Sequence, residues 1–112
     1  MCTKSQLEAI EEEMVNYYRS VYGDSIDTII LYGSYARGDY SDDSDIDITS
    51  IVRGNRVELQ KKLKKMWDFS TEVGLAYDVI VSPTVIPYDE FEQYKEKLPY
   101  YRNIVKEGRK IG

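Results

Sequence analysis

Apolar positions recur at three- and four-residue steps between about Ser5 and Tyr22, through Leu7, Ile10, Met14, Tyr17 or Tyr18, and Val21. That period is one face of an amphipathic helix, and Gly23 supplies its end. The pattern then changes: Thr28 to Tyr32 is short, β-branched and almost wholly apolar, as in a strand covered on both faces, and Gly33 breaks it. A brief helical turn from Ser34 to Gly38 precedes a polar loop, Asp39 to Ser44. From Asp45 to Ile51 acidic or polar residues alternate with apolar ones at period two. This predicts a strand that buries its isoleucines on one face and presents Asp45 and Asp47 together on the other.

After a turn at Arg53, Gly54 and Asn55, helical spacing resumes through Leu59, Leu63, Met66 or Trp67, and Val73, closing near Gly74. Tyr77 to Val81 reads as a third strand stopped by Ser82 and Pro83, because proline cannot donate to a ladder. Phe91, Tyr94 and Leu98, then Tyr101, Ile104 and Val105, predict two short helices broken at Pro99. The order implies an α/β (α+β) fold, a small mixed sheet flanked by helices, in one domain spanning residues 1–112.

Composition narrows the chemistry. Cys2 is the only cysteine and histidine is absent, which excludes an internal disulfide, a Cys/His zinc site and any Ser-His or Cys-His catalytic pair. Asp and Glu outnumber Lys and Arg by 20 to 15, a net charge of −5 that disfavours stable nucleic-acid binding, since such binding needs cations against phosphates. No apolar run is long enough for a membrane span, and the N-terminus lacks the pattern of a signal peptide, so a cytoplasmic protein is expected.

Five of the nine residues from Asp39 to Asp47 are aspartates, a density of like charge that raises carboxyl pKa values unless a cation is near. Asp45 and Asp47, about 6–7 Å apart by strand rise, can converge on one hard cation or straddle two. Asp78, expected to lead the third strand, is the natural third ligand. Three such carboxylates make a two-metal template for phosphoryl or nucleotidyl displacement. Gly33 and Ser34, where a buried strand meets a helical turn, offer backbone N–H groups and a hydroxyl to a polyphosphate, and Arg37 is a forked donor one turn on.

The stretch from Gly33 to Ile48 closely resembles the nucleotidyltransferase signature: Gly33-Ser34, ten residues, then Asp45-Ile46-Asp47, with Ala36-Arg37-Gly38 and Ser44 in step. The segment Lys97 to Gly108 and the short length further resemble the minimal nucleotidyltransferase (MNT) group of the DNA polymerase β-like superfamily. The resemblance implies a polymerase β palm-like fold and transfer of AMP from ATP to a hydroxyl, with Mg²⁺, in two ions, as cofactor. It implies that Asp45, Asp47 and Asp78 hold metal, that Asp78 also helps deprotonate the acceptor, and that Gly33, Ser34 and Arg37 grip the triphosphate. It further implies an antitoxin whose partner is a HEPN-domain toxin modified on tyrosine.

Blander readings compete. The loop aspartates Asp39 to Asp43 suit a solvated turn, Asp78 a structural salt bridge, and Arg37 a pairing with a neighbouring Asp. Lys61, Lys62, Lys64 and Lys65 fit the wet face of a helix, and the eleven tyrosines half-buried packing. An aminoglycoside-type acceptor would need a further domain, for which 112 residues leave no room. A scaffold that silences a toxin by binding alone is the alternative to catalysis.

Overall fold

The structure is a computed structural model that describes residues 3–112; Met1 and Cys2, and with them the lone cysteine, lie outside the described residues. Helix α1 (Lys4–Tyr22) opens on a reciprocal cap, in which the Gln6 N–H donates to the Thr3 hydroxyl and the Thr3 N–H to the Gln6 side chain. It ends at Gly23, as the periodicity predicts, and a 3₁₀ turn leads into β1 (Ile26–Tyr32). The short α2 (Ser34–Arg37), β2 (Ile46–Val52), α3 (Arg56–Tyr77), β3 (Val81–Pro87), α4 (Tyr88–Tyr94), α5 (Pro99–Glu107) and β4 (Arg109–Lys110) complete the order. Pro99 is the first residue of α5, where its missing N–H costs nothing.

Among the described residues the strands form one mixed sheet in the order β3-β2-β1-β4. β1 runs antiparallel to β2 and β4, while β2 and β3 are parallel and are joined by α3 as the crossover. One sheet face, with Ile29, Leu31, Ile46, Ile48 and Val85, packs under Ile10, Met14 and Tyr18 of α1 and Met66 and Val73 of α3. The buried Tyr18 hydroxyl donates to the Thr84 carbonyl at 2.8 Å, with the Ile48 carbonyl at 3.2 Å, which fastens α1 to β2 and β3. Ile51 and Ile86 lie on the opposite face, with Phe91 of α4 and Tyr101 and Ile104 of α5.

Four expectations change. Ile51 shares its face with Asp47 rather than with Ile46 and Ile48, because α4 and α5 make the second face apolar at that end; Ser50 takes the core side and is buried. The helix expected to close near Gly74 continues to Tyr77, and Gly74 lies inside it. The segment from Tyr77 to Ile80 is no strand: Asp78 caps α3 in the left-handed conformation, φ 56°, and β3 begins only at Val81. Pro83 then sits within β3, which is tolerated because β3 is an edge strand with β2 as its one sheet neighbour. β4 was not anticipated; two residues carry no periodicity to read.

Gly74 has a packing reason. A Cβ there would lie 2.5 Å from the Val79 carbonyl oxygen, and Val79 N–H donates to the Gly74 carbonyl as the chain turns back over the helix end. Helix propensity alone would make Gly74→Ala stabilising by about 1 kcal/mol. The backbone clash dominates, so we expect a net destabilisation of about 1–3 kcal/mol, read as a lower denaturant midpoint with an unchanged slope; a variant more stable than the parent would refute this.

Candidate functional site

Pairing register brings the two motifs together. Tyr32 faces Asp47 across the antiparallel β1–β2 ladder, so Gly33, one residue on, lies against the Asp47 side chain. A Cβ at Gly33 would fall 2.5 Å from Asp47 Oδ2, and Gly33 holds φ 76°, a region L side chains rarely adopt. Its carbonyl accepts from the N–H groups of Ala36 and Arg37, both at 3.1 Å, starting the turn that carries Ser34 and Arg37.

The loop between the motifs is pinned by its own residues. Tyr35, buried on α2, stacks on Tyr40 with ring centroids 4.2 Å apart. Ser41 and Ser44 close a turn on each other: the Ser41 N–H donates to Ser44 Oγ and the Ser44 N–H to the Ser41 carbonyl. Ile46 N–H donates to the Ile80 carbonyl at 2.8 Å, tying the start of β2 to the chain just beyond Asp78.

Asp45 is exposed, one residue ahead of β2, and Asp47 is half-buried within it. Burial holds the Asp47 carboxyl above its ordinary pKa; the Asp45 charge adds to this and the Arg37 charge partly offsets it. Arg37 is itself engaged, donating from Nε to Asp39 at 3.2 Å and from Nη1 to Glu107 of α5 at 3.1 Å. The pairing expected as the bland reading of Arg37 is therefore present, and the same charge is felt at Asp47.

Asp78 does not join a triad. The β3 residue in register with Asp47 is Ser82, and among the described residues no three Asp, Glu, Cys or His side chains are grouped so as to hold a metal ion. Asp78 instead shares with Asp45 the lining of a cavity of about 630 Å³ between α3 and the loop before β2. As a test of fit for a divalent cation, Asp45 and Asp47 offer oxygen donors whose mutual repulsion a cation would relieve, which suits a hard ion completed by water and phosphate oxygens.

Periodicity gave no warning of three further neighbours. Tyr32 follows Asp47 in register, and its hydroxyl shares a hydrogen bond with the Tyr100 hydroxyl of α5 at 2.8 Å; burial raises its pKa. Glu107 reaches back to Arg37 from 70 residues along the chain. For Tyr100 and Glu107 the one sequence signal is an aromatic or acidic residue on a helix otherwise committed to packing, and Tyr32 reads only as the last residue of a buried strand.

The sequence matches the nucleotidyltransferase domain family over residues 8–111. The chain belongs to that family. It is thus an enzyme of the nucleotidyltransferase type, a family that uses nucleoside triphosphates and divalent metals. A Methanocaldococcus jannaschii relative named as a protein adenylyltransferase is 37% identical over 98 residues, covering 88% of this chain and 90% of its own. A second from the same organism, similarly named, is 32% identical over 97 residues, covering 79% and 96%. Solved structures share the fold at lower identity. A Sulfolobus solfataricus nucleotidyltransferase superposes with a TM-score of 0.54 at 20% identity, covering 96% of this chain and 82% of that one. A complex of an MNT antitoxin with a tri-AMPylated Shewanella oneidensis HEPN toxin gives 0.53 at 16%, covering 94% and 71%. A toxin–antitoxin structure with AMP-PNP gives 0.53 at 17%, covering 90% and 72%.

For this nucleotidyltransferase the contact of Gly33 with Asp47 makes a sharp forecast. Gly33→Ala incurs backbone strain of about 1–2 kcal/mol and must push the Asp47 carboxylate aside. Nucleotide affinity measured by calorimetry should fall about tenfold or more while far-UV circular dichroism stays native. Unchanged affinity would show that the close approach has no part in binding.

Proposed function

We propose that this nucleotidyltransferase is a protein adenylyltransferase that moves AMP from ATP to a tyrosine hydroxyl of a HEPN-domain toxin, acting as its antitoxin. The observation that carries the reading is the seating of Gly33 against Asp47 with Asp45 alongside, in a chain alignable over most of its length with relatives named as protein adenylyltransferases. The complex of an MNT antitoxin with an AMPylated HEPN toxin, which has this fold, supports the choice of partner. AMP-PNP in a toxin–antitoxin structure of the same fold supports ATP.

In this reading Gly33 and Ser34 receive the triphosphate from the end of β1, and Arg37 turns from its carboxylate partners to the phosphates when nucleotide arrives. Asp45 and Asp47 hold Mg²⁺, which when bound polarises phosphate oxygens and offsets their charge. The acceptor oxygen bonds to the α-phosphorus, the bond from that phosphorus to the bridging oxygen breaks, pyrophosphate leaves, and the acceptor proton passes to solvent or a carboxylate. Asp78 is assigned to the acceptor side, because it lines the cavity that Asp45 also borders. Residues 1–112 act as one domain. Among the described residues no helix is long and apolar enough to cross a membrane, in keeping with a cytoplasmic site of action.

The test is to incubate the protein with Mg²⁺, ATP and the HEPN protein encoded beside it, and to follow the intact mass of both chains. The partner should gain one or more AMP units, and Asp45→Asn with Asp47→Asn should abolish the gain while leaving the fold as stable or more so, since the substitution removes like-charge repulsion. Asp78→Asn should slow transfer far less than the double variant. A tight complex that never gains mass would instead establish silencing by binding alone.

A further inference from the structure

The cavity beside Asp45 has a lining that the triphosphate cradle does not explain. Gly33, Ser34, Arg37 and Asp47 take no part in it. Its charged residues are Asp42, Asp43, Asp45 and Asp78, with neither Lys nor Arg among the lining residues. Asp42, Asp43 and Asp78 lie outside the pair assigned to Mg²⁺, so over most of this surface a polyphosphate would meet repulsion. Three apolar side chains nevertheless open onto the same space, Trp67 at 44%, Leu75 at 80% and Ile80 at 62% exposure. Apolar side chains set among carboxylates give this cavity affinity for a group that is both apolar and cationic.

We propose that this cavity is the docking seat of the acceptor protein, which enters with a basic segment carrying an apolar side chain. The inference rests on the transfer reading above and names how its acceptor is recognised. About 630 Å³ is within the range of sites that enclose a side chain or a small ligand. The stems of Lys and Arg cover apolar surface while their heads reach carboxylates, and a guanidinium also stacks on an indole, so Trp67 and the aspartates select the same residues. The acidic rim steers such a segment during encounter and rejects acidic partners. Asp45 lies on the boundary, bordering the cavity on one side and coupled to Asp47 on the other, so nucleotide and acceptor approach from different sides and meet at that carboxylate.

Trp67 is the only tryptophan, so its fluorescence reports occupancy of the cavity directly. The full chain is titrated with a Lys- and Arg-rich peptide containing interspersed Leu and Tyr, with the same peptide bearing Glu in place of the basic residues, and with MgATP. The basic peptide should shift Trp67 emission and lose affinity with rising salt, and the acidic one should not bind. Leu75→Ser with Ile80→Ser, at exposed positions, should weaken the peptide about tenfold while leaving MgATP affinity by calorimetry unchanged; Asp42→Asn with Asp43→Asn should weaken it by a similar factor. No shift with the basic peptide, an equal response to the acidic one, or undiminished binding in both variants would overturn the proposal. Direct competition by MgATP would overturn it too, making the cavity part of the nucleotide site. Peptide binding in a protein that fails to bind MgATP would support the docking seat and count against the transferase reading alone.

Discussion

The antiparallel register of β1 and β2 is the constraint on which the site depends. With Tyr32 opposite Asp47, the strand that ends in Gly33 delivers a residue without a side chain to the one place where a carboxylate fills the space a Cβ would need. A slip of one residue would turn Asp47 into the core and an isoleucine toward Gly33. Register in turn is held by the two apolar faces. Ile29, Leu31, Ile46 and Ile48 are buried together under α1 and α3, which forbids a one-residue slip, and Ile51 is claimed by α4 and α5 on the other side.

This division lets a small fold carry poorly compatible charges. Asp47 is half-buried near an exposed Asp45, an arrangement that burial and repulsion both penalise. The penalty is confined to the start of β2, while the distal half of the same sheet face is sealed by Phe91, Tyr101 and Ile104. Around the site the loop is held at both ends of its length: Tyr35, buried in the core, stacks on Tyr40, and the Ser41–Ser44 turn closes the exposed part on itself.

Legibility from sequence followed the same physics. The first helix, the first two strands and the Gly33-Ser34 and Asp45-x-Asp47 pairing were readable because each is set by local periodicity and by a signature of fixed spacing. The region from Gly74 to Pro87 was misread because two punctuating residues have tertiary explanations. Gly74 makes room for the Val79 carbonyl instead of ending a helix, and Pro83 is allowed by an edge position that only the sheet order reveals. Placing the strand too early also put Asp78 on it, whereas Asp78 caps α3 three residues before β3 begins. The contacts of Tyr100 with Tyr32 and of Glu107 with Arg37 are not legible, since nothing in a single helix tells which distant strand or turn it will meet.

The pairing of β4 with β1 has a consequence for how the protein is made. Ile29 N–H donates to the Gly112 carbonyl and Ile111 N–H to that of Ile29, contacts that span most of the sequence. During synthesis the strand leading into Gly33 therefore emerges long before its second neighbour, and one of its edges stays open to water, or to another nascent chain, until residues 109–112 have left the ribosome. Closure of that edge is a late step, and β1 is the last strand of the sheet to be flanked on both sides.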